Sequence, residues 1–197
     1  MASRGYTTES AVENYLLTNI DASFASQVDE WIEAMENEMD RITDRQLMAD
    51  SVDAEYKYDG TGRKSIMIDD FVSITSVGLY DSIEDDTIND ISDYVFQYPA
   101  NDTPKWRLES DAYYFTKGRQ NVGVTGKRGY VTEANWPADL KFACTVLVAG
   151  IVNFSNTSSG EVKRESIGRY TVEYTTAKQE ADFEVAMRTL ERYRRIR

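Results

Sequence analysis

The sequence predicts an α+β fold: a mainly helical core of N-terminal helices, a central apolar helix and a C-terminal helix, carrying an inserted antiparallel β region. Three observations lead there. Apolar residues recur at spacings of three and four from Phe24 to Ile42 and again from Phe183 to Tyr193, the period of amphipathic helices. From Ser51 the period drops to two, and glycine, proline and aspartate punctuate the stretch to Tyr130, the pattern of short strands joined by turns. Pro137 to Phe154 is the most apolar run in the chain, which calls for a helix buried on most of its sides.

Thr8 is placed to cap a first short helix, with Glu9 in its first turn, Val12, Tyr15 and Leu16 on one face, and a break at Asn19 to Asp21. The second helix spans about Ser23 to Asp44, with Val28, Trp31, Ile32, Met35 and Met39 along its apolar stripe. Its Glu33, Glu36, Glu38 and Asp40 read as a solvated outer face rather than metal ligands, since charges that fill the gaps of such a pattern ordinarily meet water. Val52 to Tyr58, the turn Asp59-Gly60-Thr61-Gly62 and Ser65 to Ile68 read as a strand, a turn and a returning strand. No helix follows that turn to offer its dipole to a phosphate, so the hairpin is preferred.

Ile74 to Tyr80 is a third strand. The acidic run Asp81 to Asp93 lacks the glycine and terminal glutamate of a calcium-binding EF-hand and reads as an exposed loop. Tyr94 to Tyr98, Trp106 to Leu108 and Tyr113 to Phe115 look like further strands, with Pro99, Pro104 and Asp111 at turns. A glycine-bounded strand segment follows between Gly118 and Tyr130, alternating from Asn121 to Thr125.

Pro137 suits the first helical position and Asp139 the positive end of the helix dipole. Phe142, Val146, Ala149 and Asn153 form one stripe of this helix, and Ala143, Leu147, Gly150 and Phe154 a second beside it. Asn153 to Gly160 is a polar loop, and Ser166 to Tyr174 alternates as a strand or extended arm. Thr176 and Gln179 make a capping box for the last helix, whose stripe is Phe183, Met187, Leu190 and Tyr193. For the arginines that end the chain two readings stand together: complementing the helix dipole, and docking an acidic partner.

Composition narrows the chemistry. The 197 residues suit one domain, and the net charge of -12 opposes non-specific attachment to nucleic acid or anionic membranes. One cysteine, Cys144, permits no internal disulfide and lies in the apolar helix, where it reads as a small buried hydrophobe; the expected compartment is a reducing cytoplasm. There is no apolar signal region at the N-terminus, and no apolar run reaches the ~20 residues of a membrane span. The sequence has no histidine, so Ser-His-Asp and Cys-His systems and imidazole-based metal sites are excluded.

Several motifs, in their order, resemble one known family. They are Tyr6-Thr7-Thr8-Glu9 opening the first helix, Glu30-Trp31-Ile32-Glu33-Ala34, Asp40-Arg41-Ile42-Thr43-Asp44-Arg45, Tyr58-Asp59-Gly60-Thr61-Gly62 and Ser73 to Val77. Gln120 to Gly126, Gly129-Tyr130, Trp136 to Leu140 and Glu165 to Val172 before a final helix continue the series. Together they resemble the head-to-tail connector (adaptor) proteins of tailed bacteriophages. The resemblance implies a single connector domain over 1–197, with 51–130 as a β-rich insertion and 191–197 as a basic C-terminal tail. It implies a structural virion protein of the neck, made in the host bacterial cytoplasm, with no enzymatic activity, catalytic residue, cofactor or metal. Such a protein assembles as a ring, a dodecamer, below the portal, extends the channel through which genomic double-stranded DNA passes without specific binding, and offers a platform to head-closure or tail-completion proteins; no membrane is involved. Portal docking is expected of Tyr193, Arg194, Arg195, Ile196 and Arg197. Two alternatives are a head-closure (stopper) protein one layer further out, and a hydrolase using two carboxylates ~5 to 9 Å apart in the acidic run or the long helix.

Overall fold

The computed structural model describes residues 4–20, 25–81, 88–156, 163–167, 169–174 and 177–195. They form an α+β structure with 40% helix and 33% strand, so the sheet is nearly as large a part of the fold as the helices. The chain divides into two compact units, one of residues 1–45 and 135–197 and one of residues 46–134.

The first unit holds the helices α1 (Glu9–Leu16), α2 (Ala25–Thr43), α3 (Ala138–Asn156) and α4 (Ala177–Tyr193). Thr8 caps α1 through its hydroxyl, which accepts from the Ala11 N–H at 3.2 Å, and Leu17 ends the helix in the left-handed region. Along α2, Val28, Ile32, Met35 and Met39 are buried as their spacing predicts; Ser23 and Phe24 lie outside the described residues. Helix α3 is the hub, with α1, α2, α4 and a strand of the same unit packed on it. Its run from Ala143 to Val152 is buried throughout, while Phe142 is partly exposed and meets the edge of Tyr15 at 6.3 Å. Phe183, Ala186 and Leu190 bury one face of α4; Thr176 of the expected capping box lies outside the described residues.

Three expectations for this unit need correction. Residues 153–156, read as the start of a polar loop, are the last turn of α3. The 166–174 segment is part of a hairpin rather than a single strand or arm, holding the end of one strand and the whole of the next: β7 (Lys163–Ile167) pairs antiparallel with β8 (Tyr170–Tyr174). The carboxylates of α2 are not a uniformly solvated face, for Glu36 is 1% and Glu38 8% exposed. Glu36 accepts the backbone N–H groups of Arg4 (2.7 Å), Gly5 (2.9 Å) and Tyr6 (2.9 Å), three donors to one charged acceptor, which offsets its lost hydration. One turn on, Asp40 takes the Arg4 guanidinium and the Tyr6 hydroxyl. Residues 4–7 are thereby strapped to α2, with Tyr6 against Trp136 at 4.5 Å between ring centroids and Thr7 bonded to Thr145 at 2.6 Å.

The second unit is built on a sheet of order β1-β6-β2-β5-β4, with β3 paired to β2 beside this path. The strands are β1 (Ala54–Gly60), β2 (Ser65–Tyr80), β3 (Ile88–Asp90), β4 (Val95–Tyr98), β5 (Lys105–Ser110) and β6 (Gly118–Arg128). The expected hairpin of β1 with β2 does not form. Strand β6 lies between them and pairs antiparallel with both, Tyr56 facing Val124 and Val77 facing Val124 from the other side. The expected strands 65–68 and 74–80 are halves of the 16-residue β2, whose pairing slips near Phe71 and again between Ile74 and Ser76.

Glycine lets β6 take this central place: a Cβ on Gly126 would stand 2.1 Å from the Ser73 carbonyl oxygen, and at Gly129, where φ is +144°, one would stand 2.2 Å from Ala49 Cα. One face of the sheet carries a core of Ile66, Ile68, Phe71, Val77, Leu108, Phe115, Val122 and Val124, joined by Ile91. Ile91 corrects the reading of 81–93 as a loop: residues 88–90 form β3 and Ser92–Tyr94 a short 3-10 turn, whose Ser92 hydroxyl accepts the Val77 N–H at 2.9 Å. Tyr113 to Phe115 is likewise no regular strand, and Phe115 makes one isolated bridge to Arg63.

Candidate docking surfaces

In the first unit the predicted docking residues follow the last buried turn of α4. The helix continues through Tyr193, so residues 191–193 are helical. The Tyr193 hydroxyl lies 3.2 Å from Asp139 Oδ1, and Arg192 reaches Asp139 Oδ2 at 3.2 Å; the acidic residue expected to favour the start of α3 thus also anchors the end of α4. The Arg195 N–H donates to the Thr43 carbonyl at 2.8 Å and satisfies one of the orphan acceptors at the end of α2. Arg194 is exposed, and Ile196 and Arg197 lie outside the described residues. The segment is therefore partly used within the fold, through Tyr193 and the Arg195 backbone.

A groove of about 500 Å³ runs near this end. Ile42, Ile167, Phe183 and Met187 form its apolar part, and the ion pairs Arg41–Glu38 and Arg188–Glu184 (3.0 Å) edge it. Sequence periodicity assigned Ile42 and Met187 to core stripes and did not reveal the groove, since β7 completes it from elsewhere in the chain.

The second unit exposes large apolar side chains on and beside its sheet. Met67 is 58%, Phe96 54% and Tyr94 52% exposed. The register sets Phe96 opposite Glu109, and both Tyr98 and Met67 opposite Arg107, so an aromatic and thioether patch shares a sheet face with two charges. Arg107 covers the Tyr98 ring at 4.8 Å and pairs with Glu109 at 2.7 Å. Tyr94 meets Tyr113 edge-on at 5.2 Å. Alternation in the sequence locates the strands, but which face of β4 lacks a cover depends on strand order.

Cys144 is fully buried, and burial first, then the Glu36 charge, pushes its thiol well above the ordinary range, away from the reactive thiolate. Hydrogen bonds from Ser92, side chain before backbone, lower the Asp90 carboxyl and keep it ionised. Burial, then hydrogen bonding to Asp182, raises the Tyr15 phenol, and burial with the Asp69 charge raises that of Tyr58. Among the described residues no group of three or more acidic or thiol side chains is arranged to hold a metal ion, and no helix is long and apolar enough to cross a membrane.

No protein-family model and no curated protein matches this chain. Solved structures do. Over 100% of this chain and 94% of the other, the fold matches a chain in the neck of an empty GTA particle, computed with C6 symmetry, at a TM-score of 0.60 and 15% identity. Over 95% of this chain and 88% of the other, it matches a chain in the virion of a native gene transfer agent particle, at a TM-score of 0.59 and 14% identity. At these identities the likeness establishes a shared fold.

Proposed function

We propose that this chain is a structural virion protein, the head-to-tail adaptor of a phage-like neck. The observation that carries the reading is the end-to-end fold likeness to a chain of a particle neck, which leaves no large part of either chain unmatched. The motif order of the sequence points the same way independently. In this reading the whole chain is one connector domain that forms a ring below the portal, and twelve copies are compatible with the six-fold symmetry of the matching neck. The ring extends the DNA channel and presents a platform to the next neck component. A net charge of -12 suits a wall along which DNA slides, because a negative surface does not hold phosphates.

Portal docking falls to the end of α4 and the residues beyond it. Tyr193 and the Arg195 backbone are tied to Asp139 and Thr43, and in this reading Arg194, Ile196 and Arg197 supply charge and one apolar side chain to an acidic portal surface. Mass measurement of the free protein and of the protein mixed with purified portal tests the reading: a ring on the portal is the expected result. A chain ended after Tyr193 keeps the Asp139 contacts, and should fold but fail to join portal-containing heads. Normal incorporation of that chain would overturn the docking assignment.

A further inference from the structure

The turn between β1 and β2 and the segment entering β6 meet at one end of the second unit's sheet. Gly60 pairs with Gly118, and the Gly62 N–H donates to the Phe115 carbonyl at 2.6 Å. Four exposed cations ride on this tip: Arg63, Lys64, Lys117 and Arg119. Among the described residues none of the four has an ion-pair partner; Lys64 donates to the Asp111 backbone carbonyl and lies 5.6 Å from the Tyr114 ring centre. Of the unit's other cations, Arg107 pairs with Glu109, Arg128 with Asp69, Lys105 donates to the Pro99 and Ala100 carbonyls and Lys57 lies over the Tyr80 ring, while Lys127, like the tip, has no ion-pair partner among the described residues. The tip also carries Asp59, which accepts the Gln120 N–H at 2.8 Å, and Asp111, whose carbonyl takes Lys64, so its four cations stand against two acids in a molecule of net charge -12.

The same unit carries the opposite patch. Asp81, Asp90 and Asp93 are exposed around β3 and the 3-10 turn, and among the described residues none of them has an ion-pair partner. Asp81 and Asp90 line one cleft of about 850 Å³ with Lys117 and Arg119, and among the described residues no ion pair joins its two sides. A ring closed by rotation needs two different, complementary patches on every subunit. Copies that repel one another at -12 associate most readily where unlike charges meet.

We propose that the tip of Arg63, Lys64, Lys117 and Arg119 docks on a second copy of this chain, against its Asp81, Asp90 and Asp93, as the repeating contact of the ring. The contact rests on the ring reading above. Its test is a charge swap on the full chain, followed by sedimentation velocity of the chain alone and mixed with purified portal, at low and high salt, with circular dichroism as the check on folding. R63E/K64E/K117E/R119E alone, and D81K/D90K/D93K alone, should each associate about a hundredfold more weakly than wild type, since several exposed ion pairs of less than tenfold each are lost. An equimolar mixture of the two should recover association, because each variant then offers the sign the other lacks, and added salt should weaken both the wild-type ring and the mixed one.

A tip variant that folds and assembles like wild type overturns the contact, as does a mixture that fails to recover. Loss of duplex DNA binding in the tip variant with self-association unchanged would give the tip to nucleic acid and equally overturn it. A wild-type chain that remains a monomer both alone and on the portal would instead remove the ring reading itself.

Discussion

Helix α3 and strand β6 are the most enclosed elements of their units, and they reach that state in opposite ways. The helix fills space: Ala143, Val146, Leu147, Val148, Ile151 and Val152 present side chains on all sides to neighbouring elements of the first unit. The strand yields space, since Gly126 and the Gly129 beyond its end leave room for backbone that a Cβ would strike. A core made by filling tolerates a smaller side chain at the cost of a cavity; a core made by omission does not tolerate a larger one without moving a strand.

The largest expected effect breaks the strand side of this comparison. Gly126→Val places side-chain carbon where the Ser73 carbonyl stands and should destabilise the second unit by more than about 4 kcal/mol, the range reserved for a disrupted core. Loss of the sheet signal in circular dichroism, or a collapse of the denaturation midpoint, would show it. A near-normal midpoint would mean that β2 shifts freely. Leu147→Ala tests the filling side and should cost about 3 kcal/mol, with the fold retained, in urea denaturation.

The smallest of the three sharpens how a filled unit handles a buried charge. Glu36→Gln keeps the shape but leaves three backbone N–H groups with an uncharged, half-donor partner, for an expected loss of about 2 kcal/mol. Faster amide exchange at Gly5 and Tyr6 is the accompanying measurement. Unchanged exchange would show that the strap is held by Asp40 and Trp136 instead.

Much of the local architecture follows from spacing alone. Thr8, Leu190 and the Pro137 entry mark helix ends and faces that the fold keeps, because caps and 3.6-residue stripes act over one or two turns. The candidate site was less accessible: Tyr193 to Arg197 can be picked out as a basic end, but its ties to Asp139 and Thr43 join residues far apart in the chain. The tip cations carry a local sequence signal, since Arg63-Lys64 and Lys117-Gly118-Arg119 each follow or straddle a glycine at a turn, but only the fold brings the two pairs to one place.

The sequence by itself determined which segments are helical, where the period turns to that of strands, that Cys144 is buried, and that the chain carries a large negative charge. Only the tertiary structure decided that β1 pairs with β6 instead of β2, that residues 65–80 form one strand, that 163–174 is a hairpin, and that Glu36 is buried. The physical reason is range. Propensity and periodicity are properties of neighbours in sequence, whereas a strand's partner is chosen by which distant backbone can approach it, and a carboxylate can be buried only where distant N–H donors arrive to receive it.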